Sequence, residues 1–428
     1  MKFLTINGKL QRNANGQFIT VPDNYDNELL TLNGKLLKTS AGLIGNKDKP
    51  AKGYTDCITF TGESSDFTLK AKNKEWDGTV EYSTDHNIWT VWDGSEISSN
   101  GQKLYLRGSG NTTFYTSNGA QLSLSPRAAC SGNIQTLLEY SNPPTNIPAD
   151  NCYQSMFSGC TSLTAAPELP ATTLANGCYQ KMFFGCKSLT AAPELPATTL
   201  ANGCYQRMFF NCTNLTTAPA LPATTLVDSC YSYMFSGCTS LTAAPELPAT
   251  TLADNCYQRM FDGCTSLTAA PELPAITLAD NCYQKMFGRC TSLTAAPALP
   301  ATTLANGCYQ SMFQGCTNLT TAPELPATTL AVYCYQNMFD GCTSLTAAPA
   351  LPATTLASYC YYYMFRGCTS LRISSTQSSE YPTAWRIPSS GTISSAATNW
   401  SASMLKGTGG TFTSNPSINT TYYGAWTK

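Results

Sequence analysis

Twenty cysteines and a single histidine, His86, are the residues of this 428-residue chain with the most obvious chemical potential. Eighteen of the cysteines fall in nine C-x7-C pairs whose first members are Cys152, Cys178, Cys204, Cys230, Cys256, Cys282, Cys308, Cys334 and Cys360. Zinc sites favour closer C-x2–4-C spacing and usually recruit histidine, so this pattern is a poor metal motif. On a helix the two members of a pair stand about 12 Å apart along the axis, beyond the Cα separation of about 7 Å that a disulfide spans. Neighbouring helices at about 8–10 Å are also too far apart. The expectation is buried free thiols that act as small apolar side chains. His86 sits in a turn-like Thr-Asp-His-Asn stretch with no evident Cys or Ser partner. Gly108-Ser-Gly110 runs into Asn-Thr-Thr-Phe rather than a helix, and Lys406-Gly-Thr-Gly-Gly-Thr411 lacks phosphate-loop spacing. Carboxylates such as Glu168 and Glu194 become Ala220, Ala298 or Ala350 in other copies, so no acid pair is held in a fixed relation. These patterns point to no catalytic residues, no metal, no cofactor and no enzyme.

The elements that must position these residues repeat every 26 residues, from Cys152 through eight complete units and a ninth that breaks down after Leu371. A fixed period of this length signals a solenoid in which each coil covers its neighbour's apolar face. At about 100° per residue, Cys178, Tyr179, Met182, Phe183 and Cys186 share one face of a short helix. Asn176, Asp254 or Asp280 serves as its N-cap, and Gly159, Gly185 or Gly237 as its left-handed end; Arg289 is a poor substitute there. The fourth and seventh positions vary from copy to copy and face away. They supply the candidate partner-binding residues Lys181, Phe184, Arg207, Phe210, Tyr233, Arg259 and Tyr363. Ser162 to Pro167 then reads as a short strand with Leu163 and Ala165 inward, and Pro167 and Pro170 end it. Strands at about 4.8 Å stacked beside helices at about 8–10 Å would bend the array with strands on the inner curve.

Charge is sparse, at 12% of residues with a net charge of −1, and no basic stripe supports nucleic-acid binding. No apolar run is long enough to span a membrane. In chain order, residues 1–50 form a β-hairpin lead-in, in which Asn7-Gly8 and Asn33-Gly34 sit between alternating apolar residues. These four residues are the candidate anchor, since a strand edge left open by so small a unit invites pairing with another protein; packing on the next domain is the plainer use. Residues 51–127 carry strand-like runs separated by Asp-Gly and Asn-Gly turns, an all-β sandwich. Trp76, Trp89 and Trp92 could form a glycan platform there, although core packing is the commoner use of such residues. Residues 128–151 read as the N-terminal cap of the solenoid, 152–371 as the solenoid, and 372–428 as its C-terminal cap. The fold class is therefore a leucine-rich-repeat-type solenoid of short helix plus short parallel strand, preceded by the sandwich and the hairpins.

The phrase MFxGCTSLTAAPELPATTL, repeated from Met156 to Leu356, resembles the BspA-like leucine-rich repeats of gut-anaerobe surface proteins. The flanks EYSTDHNIWTVWDGSEIS, YPTAWRIPSSGT and GTGGTFTSNPSINTTYY extend the resemblance over roughly residues 50 to 428. It implies a right-handed, curved solenoid used for adhesion or recognition without catalysis, and it names no ligand-binding residue to carry over.

Members of that family carried by bacteria look like exported proteins with a leader, whereas MKFLTINGKLQRNANGQF lacks a continuous apolar stretch. The expectation that follows is a bacteriophage virion protein (a fibre, tail adhesin or capsid decoration) at the virion surface. Its N-terminus would dock on capsid or tail proteins and its solenoid would meet a host surface protein or glycan, as a monomer or a homo-oligomer. The alternatives are a bacterial cell-surface adhesin and a carbohydrate-binding accessory of a glycan-degrading system that uses the Trp-rich sandwich.

Overall fold

The computed structural model describes residues 57–426 apart from 73, 75 and 115–120, together with short strands between residues 2 and 43. Met1–Lys52 and Gly53–Lys428 are two compact units. In the first, Thr5–Ile6 pairs with Lys9–Leu10 and Thr31–Leu32 pairs with Lys35–Leu36, both antiparallel. Asn7, Gly8, Asn33 and Gly34 lie outside the described residues.

In the second unit, alternating apolar residues build two antiparallel sheets. One has the order Thr90–Val91, Thr79–Ser83, Lys103–Ser109, Ile58–Gly62, Ala128–Ser131; the other has the order Ile97–Ser98, Thr68–Ala71, Leu122–Ser125. Phe60, Val80, Leu104 and Leu106 from the first and Leu69, Leu122 and Leu124 from the second are buried in one core. That core does not stop at the sandwich. Ala128 pairs with Gly62 on one side and forms a parallel bridge with Leu163 of the first coil. Phe114 and Leu122 also donate their N–H groups to Cys152 and Met156 of that coil. Sandwich and array share one apolar cluster, and a division at residue 127 parts the strand Ala128–Ser131 from the sheet in which it pairs.

The helix expected in each coil is absent. Among the described residues the one helix is the single 3-10 turn Ile134–Leu137, outside the array. The Cys-Tyr-Gln stretch is instead a run of tandem turns. In the second coil, Gln180, Met182, Phe184 and Cys186 each donate an N–H to the carbonyl three residues back. The residues between them turn outward along the array: the N–H groups of Gly177, Tyr179, Lys181, Phe183 and Gly185 reach Asn202, Cys204, Gln206, Met208 and Phe210 of the next coil at 2.7–3.0 Å. The physical reason is backbone conformation. Gly177, Lys181 and Gly185 have φ of 58°, 55° and 68°, and a left-handed residue at every fourth position is incompatible with an α-helix. Each falls third in a turn of the type that requires positive φ there.

Direct backbone bonding brings the coils closer than helices pack. Stacked tyrosines such as Tyr205–Tyr231 lie 5.8 Å apart and stacked phenylalanines such as Phe209–Phe235 5.6 Å apart. The spacing mismatch from which a bend was expected is therefore largely removed. Asn176, Asp254 and Asp280 cap no helix: Asn176 and Asp280 accept from Asn202 and Asn306, and Asp254 from Asp280, in each case a backbone N–H one coil on. The strand segment shrinks to isolated parallel bridges such as Ala191↔Thr217 and Ala243↔Ala269, because the flanking prolines lack the N–H groups a ladder needs. Leu163 is buried there, as are Leu169 and Leu174, but Ala165 is exposed.

Beyond Leu371 the array continues for one more coil. Tyr359, Tyr361, Tyr363, Phe365 and Gly367 donate to Thr398, Trp400, Ala402, Met404 and Lys406. Asn399, Ser403 and Gly407 repeat the left-handed positions, and Met404 and Leu405 are fully buried. At this end the Ser403 N–H donates to the Asn415 side chain. Thr383–Ile387, Thr420–Gly424 and Ile373–Ser374 form a small covering sheet.

Phe261 is fully buried between Phe235 and Phe287, each 5.8 Å away. Phe261→Ala should therefore destabilise by about 3–5 kcal/mol in chemical denaturation. Ser311, at φ 57°, should behave oppositely: Ser311→Gly relieves a left-handed residue and is expected to stabilise by roughly 1 kcal/mol. Loss of stability in the glycine variant would contradict the turn geometry.

Candidate functional site

The thiols come first because of their number. All twenty cysteines are buried, and those of the array are free. From the second pair onward, the second member of each pair donates its Sγ–H to a phenylalanine carbonyl of the preceding coil, as Cys212 to Phe183 and Cys264 to Phe235, at 3.0–3.1 Å. The coils are close enough for their Cα atoms to fall within disulfide range, so distance does not keep the thiols apart; from Cys186 to Cys368 the second sulfur of each pair is committed to a carbonyl. Burial pushes the thiols up, Cys160 to about 11 and Cys152, Cys212 and Cys282 to about 12. Thiols so far from ionisation are poor nucleophiles and poor ligands. No group of three His, Cys, Asp or Glu among the described residues is arranged to hold a metal ion.

His86 does have a thiol neighbour, which sequence spacing concealed: its Nε2 lies 3.4 Å from the Sγ of Cys57, 29 residues away. The loop that carries it is held by Asp85, whose Oδ1 accepts from Ser83 Oγ and from the N–H groups of Asn87 and Ile88. Those bonds favour the ionised carboxylate and lower the Asp85 pKa. The His86 ring packs against Tyr105 at 4.7 Å and Trp89 at 5.7 Å.

The three-tryptophan platform is not assembled. Trp76 and Trp92 are buried and stack on each other at 5.2 Å, with Phe114 against Trp76 at 5.7 Å. They are core residues because the sandwich must fill the space above the first coil. Trp89 alone is half-exposed, beneath the Arg107 guanidinium at 4.0 Å.

The variable positions do form a row. Lys181, Phe184, Arg207, Phe210, Tyr233, Arg259 and Tyr363 are all half-buried on the turn side of the array, so the face is more enclosed than a helix surface would be. Phe184 stacks on Phe210 at 4.9 Å, and Phe210 meets Tyr233 at 6.4 Å. The guanidinium groups of Arg207 and Arg259, from the coils on either side, lie over the Tyr233 ring at 4.8 and 5.3 Å. Farther along, buried Asp262 holds Arg289 through two bonds at 2.9 and 3.0 Å, with Lys285 at 3.9 Å. That pairing raises the Arg289 pKa and explains why an arginine is accepted at a left-handed position. Asp340 likewise holds Arg366 and Gln314. Beside this row, position three forms an amide ladder, Gln258 to Gln284 and Gln310 to Gln336 at 2.7 and 2.6 Å. Sequence reasoning missed the Asp262–Arg289 and Asp340–Arg366 pairs, 27 and 26 residues apart. One coil length between opposite charges was the available signal.

The chain was compared with known proteins. A family model described as a BspA type leucine rich repeat region matches residues 150–294, 205–346 and 283–381. No curated protein and no solved structure matches the chain.

The buried thiols make a pH-dependent prediction. Their folded pKa values lie above those of the unfolded chain, so their contribution is fully present below about pH 8.5 and is lost as pH rises toward the folded values near 12. In reductant, stability should be level up to about pH 8 and then fall, each thiol adding a slope of up to ~1.4 kcal/mol per pH unit. A flat profile to pH 10 would contradict the burial. Unfolded without reductant, the protein should expose close to all twenty cysteines to a thiol reagent.

Proposed function

The chain belongs to the BspA-type leucine-rich repeat family, typically surface-exposed, non-enzymatic repeat proteins, and we propose that it is a non-enzymatic adhesion protein whose variable turn-side row contacts a partner at a cell surface. One observation carries the reading. Within each coil the unchanging Cys, Tyr, Met, Phe and Cys are buried, while the fourth position, which changes, is half-buried at Lys181, Arg207, Tyr233, Arg259 and Tyr363. It is joined by the half-buried rings Phe184 and Phe210 of the seventh; Ser236, Asp262 and Asp340 at the seventh position are buried. A repeat that only needed to stack would have no use for unpaired cations or aromatic rings there, yet Lys181, Arg207 and Arg259 have no carboxylate partner among the described residues. No helix among the described residues is long and apolar enough to cross a membrane.

The finer assignment is to a bacteriophage virion, with residues 1–52 as the particle anchor and the array directed at the host. Two features support it: the lead-in is a separate compact unit, and its strands among the described residues are two residues long, short of what an independent sheet requires. A particle protein that adds a strand would complete it. Residues 1–52 fused to an unrelated soluble protein should co-sediment with particles, and the chain from Gly53 onward should not. Loading of the truncated chain would leave the bacterial-surface alternative in its place.

Replacing Phe184 and Phe210 together with Ser should lower attachment to host cells at least about tenfold, equivalent to ~1.4 kcal/mol. The fold should change by no more than about 1 kcal/mol, since the pair is half-buried. Unchanged attachment with unchanged folding would move the contact elsewhere on the molecule.

A further inference from the structure

We propose that the eighth and ninth coils carry a dedicated binding patch for an uncharged saccharide chain, formed by Tyr333, Tyr359, Tyr362 and Tyr363. The inference rests on the adhesion reading and names the partner class of one part of the same face.

The first argument is strain. The residue before each Cys-Tyr pair is left-handed in every coil. In the first seven it is Asn151, Gly177, Gly203, Ser229, Asn255, Asn281 or Gly307, mostly types that tolerate the conformation. In the last two it is Tyr333 and Tyr359, both at φ 59°, and Tyr363 adds a third tyrosine at φ 56°. A bulky residue at positive φ is unfavourable and is retained where surrounding structure holds it, often at functional sites. Stacking alone does not require these side chains, because seven coils manage without them.

The second argument is what the strain produces. Tyr333 stacks on Tyr359 at 5.2 Å, Tyr359 meets Tyr362 edge-on at 5.5 Å, and Tyr362 packs on Tyr363 at 4.0 Å. Tyr333 is 40% exposed and the others half-buried, in a molecule with few large exposed apolar side chains. Tyr362 also replaces the glutamine at which the amide ladder would continue beyond Gln336. Asn399 donates to the Tyr359 hydroxyl at 3.0 Å, which fixes that ring.

The third argument is charge. Two cations border the patch: Arg366 lies over Tyr363 at 4.4 Å and is neutralised by two bonds to Asp340, and exposed Lys406 stands at the far edge of Tyr363. The patch therefore offers rigid aromatic faces and phenolic hydroxyls whose overlying guanidinium is already paired, with a single lysine at its edge. Sugar rings need apolar contact on their C–H faces together with hydroxyl hydrogen bonds, and tyrosine supplies both at low entropic cost. The unpaired arginines at Tyr233 suit an anion and are a separate region.

The test uses the full chain with Tyr333→Asn and Tyr359→Asn together, and separately Tyr362→Gln, which restores the ladder residue. Binding to soluble mannan and β-glucan is measured beside heparin and hyaluronate, with melting temperature recorded for each protein. The proposal expects the wild type to bind a neutral polysaccharide and both variants to lose at least tenfold, while the Asn variant melts at an equal or higher temperature. Three results would overturn it: no binding of either neutral polymer, preference for the charged polymers, or unchanged binding in both variants. Destabilisation by the Asn pair would show instead that the tyrosines serve packing. Loss of host attachment in the Phe184/Phe210 variant, with neutral-sugar binding absent, would retain the adhesion reading and remove only this one.

Discussion

Everything in the array depends on one constraint: every second N–H of the turn segment must meet a carbonyl of the next coil. Five such bonds join the second coil to the third. At a net of about 0.5–1.5 kcal/mol each, they outweigh the roughly 1–2 kcal/mol that a non-glycine residue at positive φ costs. That balance explains how Lys181, Arg207 and Arg259 are kept in a conformation that glycine or asparagine would fill more easily. It also explains the fixed 26-residue step, since one extra residue would rotate donors into the core and acceptors out of register.

Once the backbone is in register, like must stack on like. Tyr179 lies against Tyr205 and Phe183 against Phe209 with their planes within 10°. An interior residue of the array has two identical neighbours, so a change of size would leave a gap or an overlap on both sides. The small thiol of Cys212 fits this arrangement for a polar reason too: the Phe183 carbonyl accepts from both the Cys186 N–H and the Cys212 Sγ–H. Polar side chains on the turn face obey the same translation, as the Gln258–Gln284 amide bond shows. Variation is confined to positions whose side chains leave the stack, and there the protein places its charge pairs and its aromatic patches.

The period, the buried face and the membership of Cys, Tyr, Met, Phe and Cys in that face were legible in the sequence. The conformation was not, because nine residues cannot separate a period of 3.6 from one of 4.0. Cys178, Met182 and Cys186 drift about 80° around a helix, still on one face, whereas in the turn run they repeat every four residues. Gly177 and Gly185, eight apart, marked left-handed positions on either side of Lys181, whose own type hid the third. The strand was overread because alternation placed Ala165 inward, while the prolines at 167 and 170 let the chain leave the pleat. Partners one coil apart were invisible to a search for local motifs, which is why Asp262 and Arg289 went unpaired. Cys57 and His86, brought together only by the sandwich, carried no local signal.

The tenth coil shows which parts of the repeat are necessary. It begins 40 residues after the ninth rather than 26, as the shift from Ser358 to Thr398 as acceptor shows. Trp400 stands where a cysteine would be, Ser401 replaces the tyrosine and Leu405 the phenylalanine. What persists is Met404, the left-handed Asn399, Ser403 and Gly407, and the acceptors at alternate residues. The extra residues are absorbed on the opposite side of the coil, where the covering strand Thr383–Ile387 is formed. A coil with only one neighbour can therefore exchange its stacked side chains but not its backbone. The uniform cysteines and tyrosines of the interior coils follow from having a neighbour on both faces. At the outer edge, Asn415 substitutes a side-chain oxygen for the next coil's carbonyl and accepts from Ser403. A pairing edge that would otherwise recruit another chain is thereby covered.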